Sequence, residues 1–247
     1  MWEVKLSCMK KIESSENQIF KSLKKLTTKK GRRELSLCII EGEKVIFENL
    51  EHIEQIFVRE DFQITPNIRD LDPIALTKKL FDEISSLETP TGILATAQIP
   101  KPTELTYPFL VLDNIQDTGN MGTLLRTACA FGFNSIIIID CVDIWSQKVL
   151  RSAMGNQFRL NIIDSSHDEL KSLIKDSELY IADLGGSSPP TELDFANFGL
   201  VLGSEGQGVS PEIKKLPNTV VTIPMQNKVE SLNVGVAGGI LMCALIK

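Results

Sequence analysis

The chain has 247 residues, 43% hydrophobic and 23% charged, an ordinary globular composition with enough apolar content for one or two cores. Its net charge of −6 argues against nucleic-acid binding by the chain as a whole. The charge is uneven, however: ten basic and three acidic residues give +7 over residues 1–33 and therefore −13 over the rest. No apolar run approaches a membrane span, the odd set of five cysteines without a C-x-x-C pair reads as reduced, mostly buried intracellular thiols, and only His52 and His167 are present, so no histidine-based metal site is expected.

In chain order, the opening MWEVKLSC lacks the apolar core of a signal peptide, and Met9-Lys10-Lys11 reads as a possible second start. Ser14 to about Lys30 predicts a helix. Lys24, Lys25, Lys29 and Lys30, with Arg32 and Arg33 after them, make either a basic arm for a polyanion or a solvated helix face. Next come an apolar LCII strand, a helical EKVIFENL, a strand-like IEQIFV, a helical ALTKKLFDEIS and a strand-like GILATA. Pro100 and Pro102 mark an extended linker over residues 99–107 between two blocks, 1–98 and 108–247. After it, FLVLD, SIIIID, RLNIID, LYIADL, GLVLG and VVTIP alternate with helical or polar stretches. Continuous apolar strands between helices predict parallel sheet covered on both faces, and both blocks read as α/β. GGSSPP, from Gly185 to Pro190, reads as a loop within the second block.

Three stretches of the second block carry chemistry. In LDNIQDTGNMGTLLRTACAFGF a strand runs through Asn114 into a polar turn. A helix follows from about Asn120, carries Arg126 and is capped by Gly132. Its G-x-x-G is not the dinucleotide G-x-G-x-x-G. In GSEGQGVS, Gly203 to Ser210 comes within one residue of a phosphate-binding P-loop, but Val209 stands where the lysine belongs and Glu205 would face the phosphates. Its glycines permit close backbone approach to a ligand, and Ser210-Pro211-Glu212 reads as a helix start. In VVTIPMQNKVESLNVGVAGGILMCALIK a strand ends at Ile223-Pro224 and a helix begins near Ser231. Gly235, Gly238 and Gly239 each weaken that helix by about 1 kcal/mol, which predicts close packing against another backbone or a ligand.

Taken together, Asn114…Gly119-Asn120-Met121-Gly122…Arg126, Gly203-Ser204-Glu205-Gly206-Gln207-Gly208 and Ile223-Pro224-Met225…Ser231-Leu232-Asn233-Val234 resemble, in order and spacing, the three motifs of the SpoU class of RNA ribose 2′-O-methyltransferases in the SPOUT superfamily. Gly235 stands where the family usually has serine. The resemblance covers about Pro108 to the end and extends more weakly to the first block, where GRRELSLCIIEGEKVIFENL looks like the family's substrate-binding domain of ribosomal-protein-like type, with Cys38 in place of a common aromatic.

The resemblance implies an α/β trefoil knot binding S-adenosyl-L-methionine, with Leu202, Gly203, Gly208, Ile223, Met225 and Leu232 as cofactor contacts. Arg126, Asn114, Glu205, Asn233 and Ser231 become the catalytic set. For Asn114 and Ser231, a role limited to satisfying backbone groups is the competing reading. The resemblance further implies a cytoplasmic homodimer acting on RNA, with ribosomal RNA favoured and transfer RNA the alternative, and with the basic arm on phosphates. A non-catalytic RNA-binding protein that keeps the fold is the rival reading. A nucleotide-dependent enzyme fits worse, given the missing lysine.

Overall fold

The computed structural model describes residues 9–175, 177–187, 197–204, 206–226 and 230–246. The chain divides into two compact units, Met1–Ile99 with Trp145–Arg151, and Pro100–Ile144 with Ser152–Lys247.

The first unit contains β1 (Lys11–Ile12), α1 (Gln18–Lys25), α2 (Lys29–Leu35), β2 (Leu37–Glu41), α3 (Glu43–Phe47), β3 (Ile53–Arg59), α4 (Pro66–Arg69), β4 (Ile74–Leu76), α5 (Lys78–Ile84) and β5 (Ile93–Gln98). Its sheet runs β1-β4-β3-β5-β2. It is mixed rather than parallel: β5 lies antiparallel to both β2 and β3, while β1, β4 and β3 are parallel. Phe20, Leu23 and Leu26 from α1 and its end join Phe57, Leu76, Phe81 and Leu94 in one core.

The basic helix expected from Ser14 to Lys30 is two helices. The Thr27 and Thr28 hydroxyls donate to the carbonyls of Lys24 and Lys25. Thr28 then caps α2 by accepting from the Gly31 amide at 3.1 Å, so the pair competes with the helical ladder and breaks it. The helix expected from Ala75 begins instead at Lys78. Ile74–Leu76 are buried as a strand between β1 and β3, where pairing overrides local preference.

The second unit contains β6 (Phe109–Asp113), α6 (Thr118–Ala130), β7 (Ser135–Ile139), β8 (Asn161–Ser165), α8 (His167–Ile174), β9 (Glu178–Ser187), β10 (Phe198–Gly203), α9 (Pro211–Lys214), β11 (Thr219–Val221) and α10 (Val234–Leu245). The helix α7 (Gln147–Ser152) precedes β8, and its residues through Arg151 cluster with the first unit. The sheet order is β11-β9-β10-β6-β7-β8, every pair parallel. β6, β7 and the apolar length of β10 are buried, as continuous hydrophobic strands require. Gly185 to Ser187 extend β9 rather than forming the expected loop, and residues 188–190 lie outside the described residues.

The cysteines are less uniformly buried than expected. Cys38 is buried, Cys129 and Cys141 are partly exposed, Cys243 is exposed, and Cys8 lies outside the described residues. Burial pushes the Cys141 thiol up to about 11, as its neighbouring backbone amides only partly offset desolvation. The strand expected to end at Ile223 ends at Val221, and the last helix starts at Val234 rather than Ser231.

Candidate active site

Strands β6 and β10 lie side by side, yet the chain leaves them toward opposite edges of the sheet. That makes a switch point, where open α/β sheets bind ligands beyond the carboxyl ends of their strands. A cavity of about 290 Å³ opens there. Its walls come from β9 just past its pairing with β10 (Ala182, Asp183, Leu184), the end and loop of β10 (Leu202 to Ser204 and Gly206 to Gly208), the segment after β11 (Thr222, Ile223, Met225, Ser231, Leu232) and the face of α10.

Glycine shapes the β10 loop. Gly208, at φ +66°, turns back so that its amide donates to the Ser204 carbonyl at 2.8 Å. A Cβ on Gly203 would lie 2.2 Å from the Gly208 carbonyl, so only glycine lets the loop close on the strand that launched it. Val209, where a P-loop carries lysine, is buried in the core. Among the described lining residues none is lysine or arginine, and Asp183 is the charged one. Burial works to raise the Asp183 carboxyl, yet Lys214 Nζ at 2.6 Å and the Leu184 amide hold it below the ordinary carboxylate value.

Packing explains Gly235 and Gly238 of α10 but not Gly239, where a Cβ would meet only Thr127 at an ordinary 3.8 Å. A Cβ on Gly238 would lie 2.4 Å from Leu124 of α6 and 2.8 Å from Leu202 of β10, and one on Gly235 would crowd Thr123. Asn233 caps α10 through its side-chain oxygen, which accepts from the amides of Gly235 and Val236 at 3.0 and 3.3 Å. Its Nδ2 donates to Asn120 Oδ1 at 2.9 Å, so the cap of α10 is tied to the first turn of α6. Asp117, the cap of α6, accepts the Asn120 amide at 2.7 Å.

Leu202, Gly203, Gly208, Ile223, Met225, Leu232 and Ser231 all line this cavity. Asn233 adjoins it in the chain, next to the lining residues Leu232 and Val234. Arg126 and Asn114 do not line it. Arg126 is exposed on α6, with Nη1 3.6 Å from Met154 Sδ. Asn114 sits in left-handed conformation at φ +56°, its side-chain oxygen accepting from Gln116 Nε2 at 2.8 Å. Glu205 lies outside the described residues.

In the first unit, Arg32 is buried and its Nη1 donates to the Leu26 carbonyl at 2.6 Å, so it is a strut between α1 and α2 and not a phosphate contact. Lys24 pairs with Glu83, and Lys30 with Glu34 at 3.8 Å. Lys25 and Lys29 are exposed and carry no ion pair among the described residues, and Arg33 is exposed beside them.

Two parts of the site escaped the motif reading. Asn120 was visible only as a motif letter; its partner, 113 residues away, gives it a place. Ala182–Leu184 sit inside β9, directly after the stretch paired with β10, and only that parallel pairing brings them to the cavity.

Known proteins have the same build. The sequence model of the SpoU rRNA methylase family matches residues 108–243, and that of the MRM3-like substrate binding domain matches residues 17–95. The 23S rRNA (guanosine(2553)-2′-O)-methyltransferase RlmP of Bacillus subtilis is 33% identical over 245 residues, covering 95% of this chain and 98% of its own. The structure of a putative RNA methyltransferase of the TrmH family from Porphyromonas gingivalis superposes with a TM-score of 0.80 at 30% identity, over 94% of this chain and 98% of that one. An AdoMet-bound rRNA methyltransferase from Sinorhizobium meliloti shares the fold at a TM-score of 0.83 and 23% identity, over 96% and 97% of the two chains. Two motif loops lining one cavity, the first motif tied to them through the Asn120–Asn233 bond, on a parallel sheet of this order and with these relatives along nearly the whole length, identify the chain as a member of the SpoU rRNA methylase family.

Proposed function

We propose that this chain transfers a methyl group from S-adenosylmethionine to a ribose 2′-oxygen of ribosomal RNA. The observation that carries this reading is the cavity: apolar walls and exposed backbone, glycine-permitted close approach, and no cationic side chain among the described lining residues. Such a lining suits an adenosine compound bearing a sulfonium and repels one bearing phosphates. Asp183 adds a negative charge on the wall. At about 290 Å³ the cavity is near the lower end of small-molecule sites.

S-adenosylmethionine, when bound, supplies a methyl group already activated by the positive charge on its sulfur. The chain's own work is to bind, orient and exclude water. Leu202, Ile223, Met225 and Leu232 wall the cofactor, and the backbone of Gly203, Gly208, Ile223 and Leu232 meets its polar edges. Arg126 remains protonated, as guanidinium does at any working pH, and clamps an RNA phosphate so that the ribose is presented correctly and phosphate or water takes the 2′-hydroxyl proton as the methyl is transferred. The Asn233–Asn120 pair and Ser231 hold the ribose side of the cavity. Asn114 offers RNA its side-chain amide nitrogen, and Glu205 keeps the role of orienting Arg126 or a neighbouring amide. Alignment of this kind supplies roughly 7–11 kcal/mol of barrier reduction.

Lys25, Lys29 and Arg33, with Lys24 and Lys30 sharing their charge with carboxylates, make the phosphate-contacting face of the first unit. A second copy of the chain covers α10, a helix without a charged residue whose Val236, Ile240 and Cys243 are exposed on one side. The knot is supported by the path of the chain, which runs from edge strand β11 back to pack α10 on β10 and α6 near the middle of the sheet. The setting is the cytoplasm; among the described residues no helix is long and apolar enough to cross a membrane.

The test is transfer of tritiated methyl from S-adenosylmethionine to unmodified total RNA, comparing wild type with Arg126→Ala. The expected result is label in ribosomal RNA, in an alkali-resistant dinucleotide, with kcat/KM lowered about 10²–10³-fold in the variant. Cofactor binding with no label on any RNA, naked or in ribosomal particles, would favour a non-catalytic RNA-binding protein instead.

A further inference from the structure

The β10 loop must keep its shape at the lip of the cavity, and its anchor lies outside both the motifs and the cavity walls. Asp113 ends β6 with its side chain 1% exposed. A buried carboxylate is costly unless its oxygens are met by donors. Here Oδ2 accepts the Ser210 amide at 2.7 Å, and Oδ1 faces His167 Nε2 at 3.1 Å. His167 opens α8, directly after the Ser166 cap, and its Nδ1 lies 3.9 Å from Asp140 Oδ2 at the end of β7. One carboxylate thus joins the chain returns after β6, β8 and β10.

Ser210 is the exit of the cavity loop. It sits at the cap position of α9, but its hydroxyl makes no capping bond and is buried without a hydrogen-bond partner among the described residues. The exit therefore hangs on its backbone amide. Val209, one residue earlier, is packed in the core, and Gly208 before it folds against Gly203 and lines the cavity. Fixing Ser210 fixes Gly208.

We propose that Asp113, steadied by His167, is the positioning residue for the cofactor loop: it touches no ligand, but sets the backbone that does. The inference rests on the reading of the cavity as the S-adenosylmethionine site. Asp113→Ala and His167→Ala in the full chain test it through two readouts. In the cofactor-free protein, amide hydrogen exchange at Ser210 is expected to quicken about tenfold or more in Asp113→Ala and severalfold in His167→Ala, with the β7 amides unchanged. By calorimetry, the dissociation constant for S-adenosylmethionine is expected to rise about tenfold in Asp113→Ala and less in His167→Ala, while KM for RNA stays within twofold.

Lower thermal stability with unchanged cofactor affinity and Ser210 exchange would overturn the proposal and leave Asp113 a structural residue only. Should Asp113→Ala fail to fold, His167→Ala decides: its side chain is 24% exposed and tolerates removal, and wild-type values in both readouts would overturn the proposal. Failure of the wild type to bind S-adenosylmethionine would sink the cavity reading instead, while the exchange measurement still judges the loop anchor.

Discussion

Single atoms decide whether the cavity exists. Gly203→Ala forces a Cβ into the Gly208 carbonyl. The expected outcome is a loss of about 1–3 kcal/mol of stability in denaturant titration, together with loss of S-adenosylmethionine binding by calorimetry; full binding would mean that the loop opens without cost. The Asn120–Asn233 bond sets a second expectation at this scale. A double-mutant cycle with alanine at both positions, read as kcat/KM for methyl transfer, should give a coupling of about 0.5–3 kcal/mol. Additive losses would mean that the two amides act separately. Asn233 was legible as a site residue through the family resemblance alone; its place as the cap of α10 was not, because the helix was expected to start at Ser231. Asn120 was not, because its partner is distant in the chain, and Asp113 was hidden as the last letter of an apolar strand.

Among the elements, the strands of the second unit were legible because burial on both faces writes itself as unbroken β-branched runs, as in SIIII of β7. β4 was not. Three residues, Ile-Ala-Leu, carry too little pattern, and only β1 and β3 on either side make them a strand. The first sheet read as parallel because direction leaves no mark on an apolar run; β5 is antiparallel to both its neighbours. Local charge misled at α2, where Arg32 looked like its neighbours but is folded inward. Arg32→Ala should cost about 1.5–3 kcal/mol of stability, the loss of a hydrogen bond from a charged donor, and leave the salt dependence of RNA binding unchanged. Lys25→Gln with Lys29→Gln should do the reverse, flattening the slope of log K against log salt by about 0.7–0.9 for each phosphate no longer neutralised. Parallel filter-binding titrations over a salt series separate the two.

For the whole molecule, acid exposes the cavity's charge balance. Asp183 has its carboxyl held low by Lys214, so its folded-state value lies below the unfolded one. The stabilisation is therefore present above about pH 4 and lost as pH falls through the folded-state value. Thermal unfolding of Asp183→Asn should show a deficit against wild type at pH 7 that closes in strong acid; a gap that persists there would assign the loss to packing. Assembly is tested by Ile240→Lys, which places a charge on the bare side of α10. Light scattering should show a dimer for wild type and a monomer for the variant.

The strand order carries one more implication, for the order of events as the chain is made. Gly199 of β10 pairs with Phe109 of β6, ninety residues earlier. The walls that complete the cavity, from Thr222 to Leu241, emerge later still. During synthesis at about 5–20 residues per second, the first unit's sheet strands are all available well before this pocket has its last wall. A nascent chain halted after β10 would hold an apolar central strand whose α10 cover has not yet been made. Free ligand acts only on the finished pocket, and at a hundred times its dissociation constant it adds about 2.7 kcal/mol to the folded state. The supply of the small molecule would then govern how much completed protein survives quality control, as well as how fast it works.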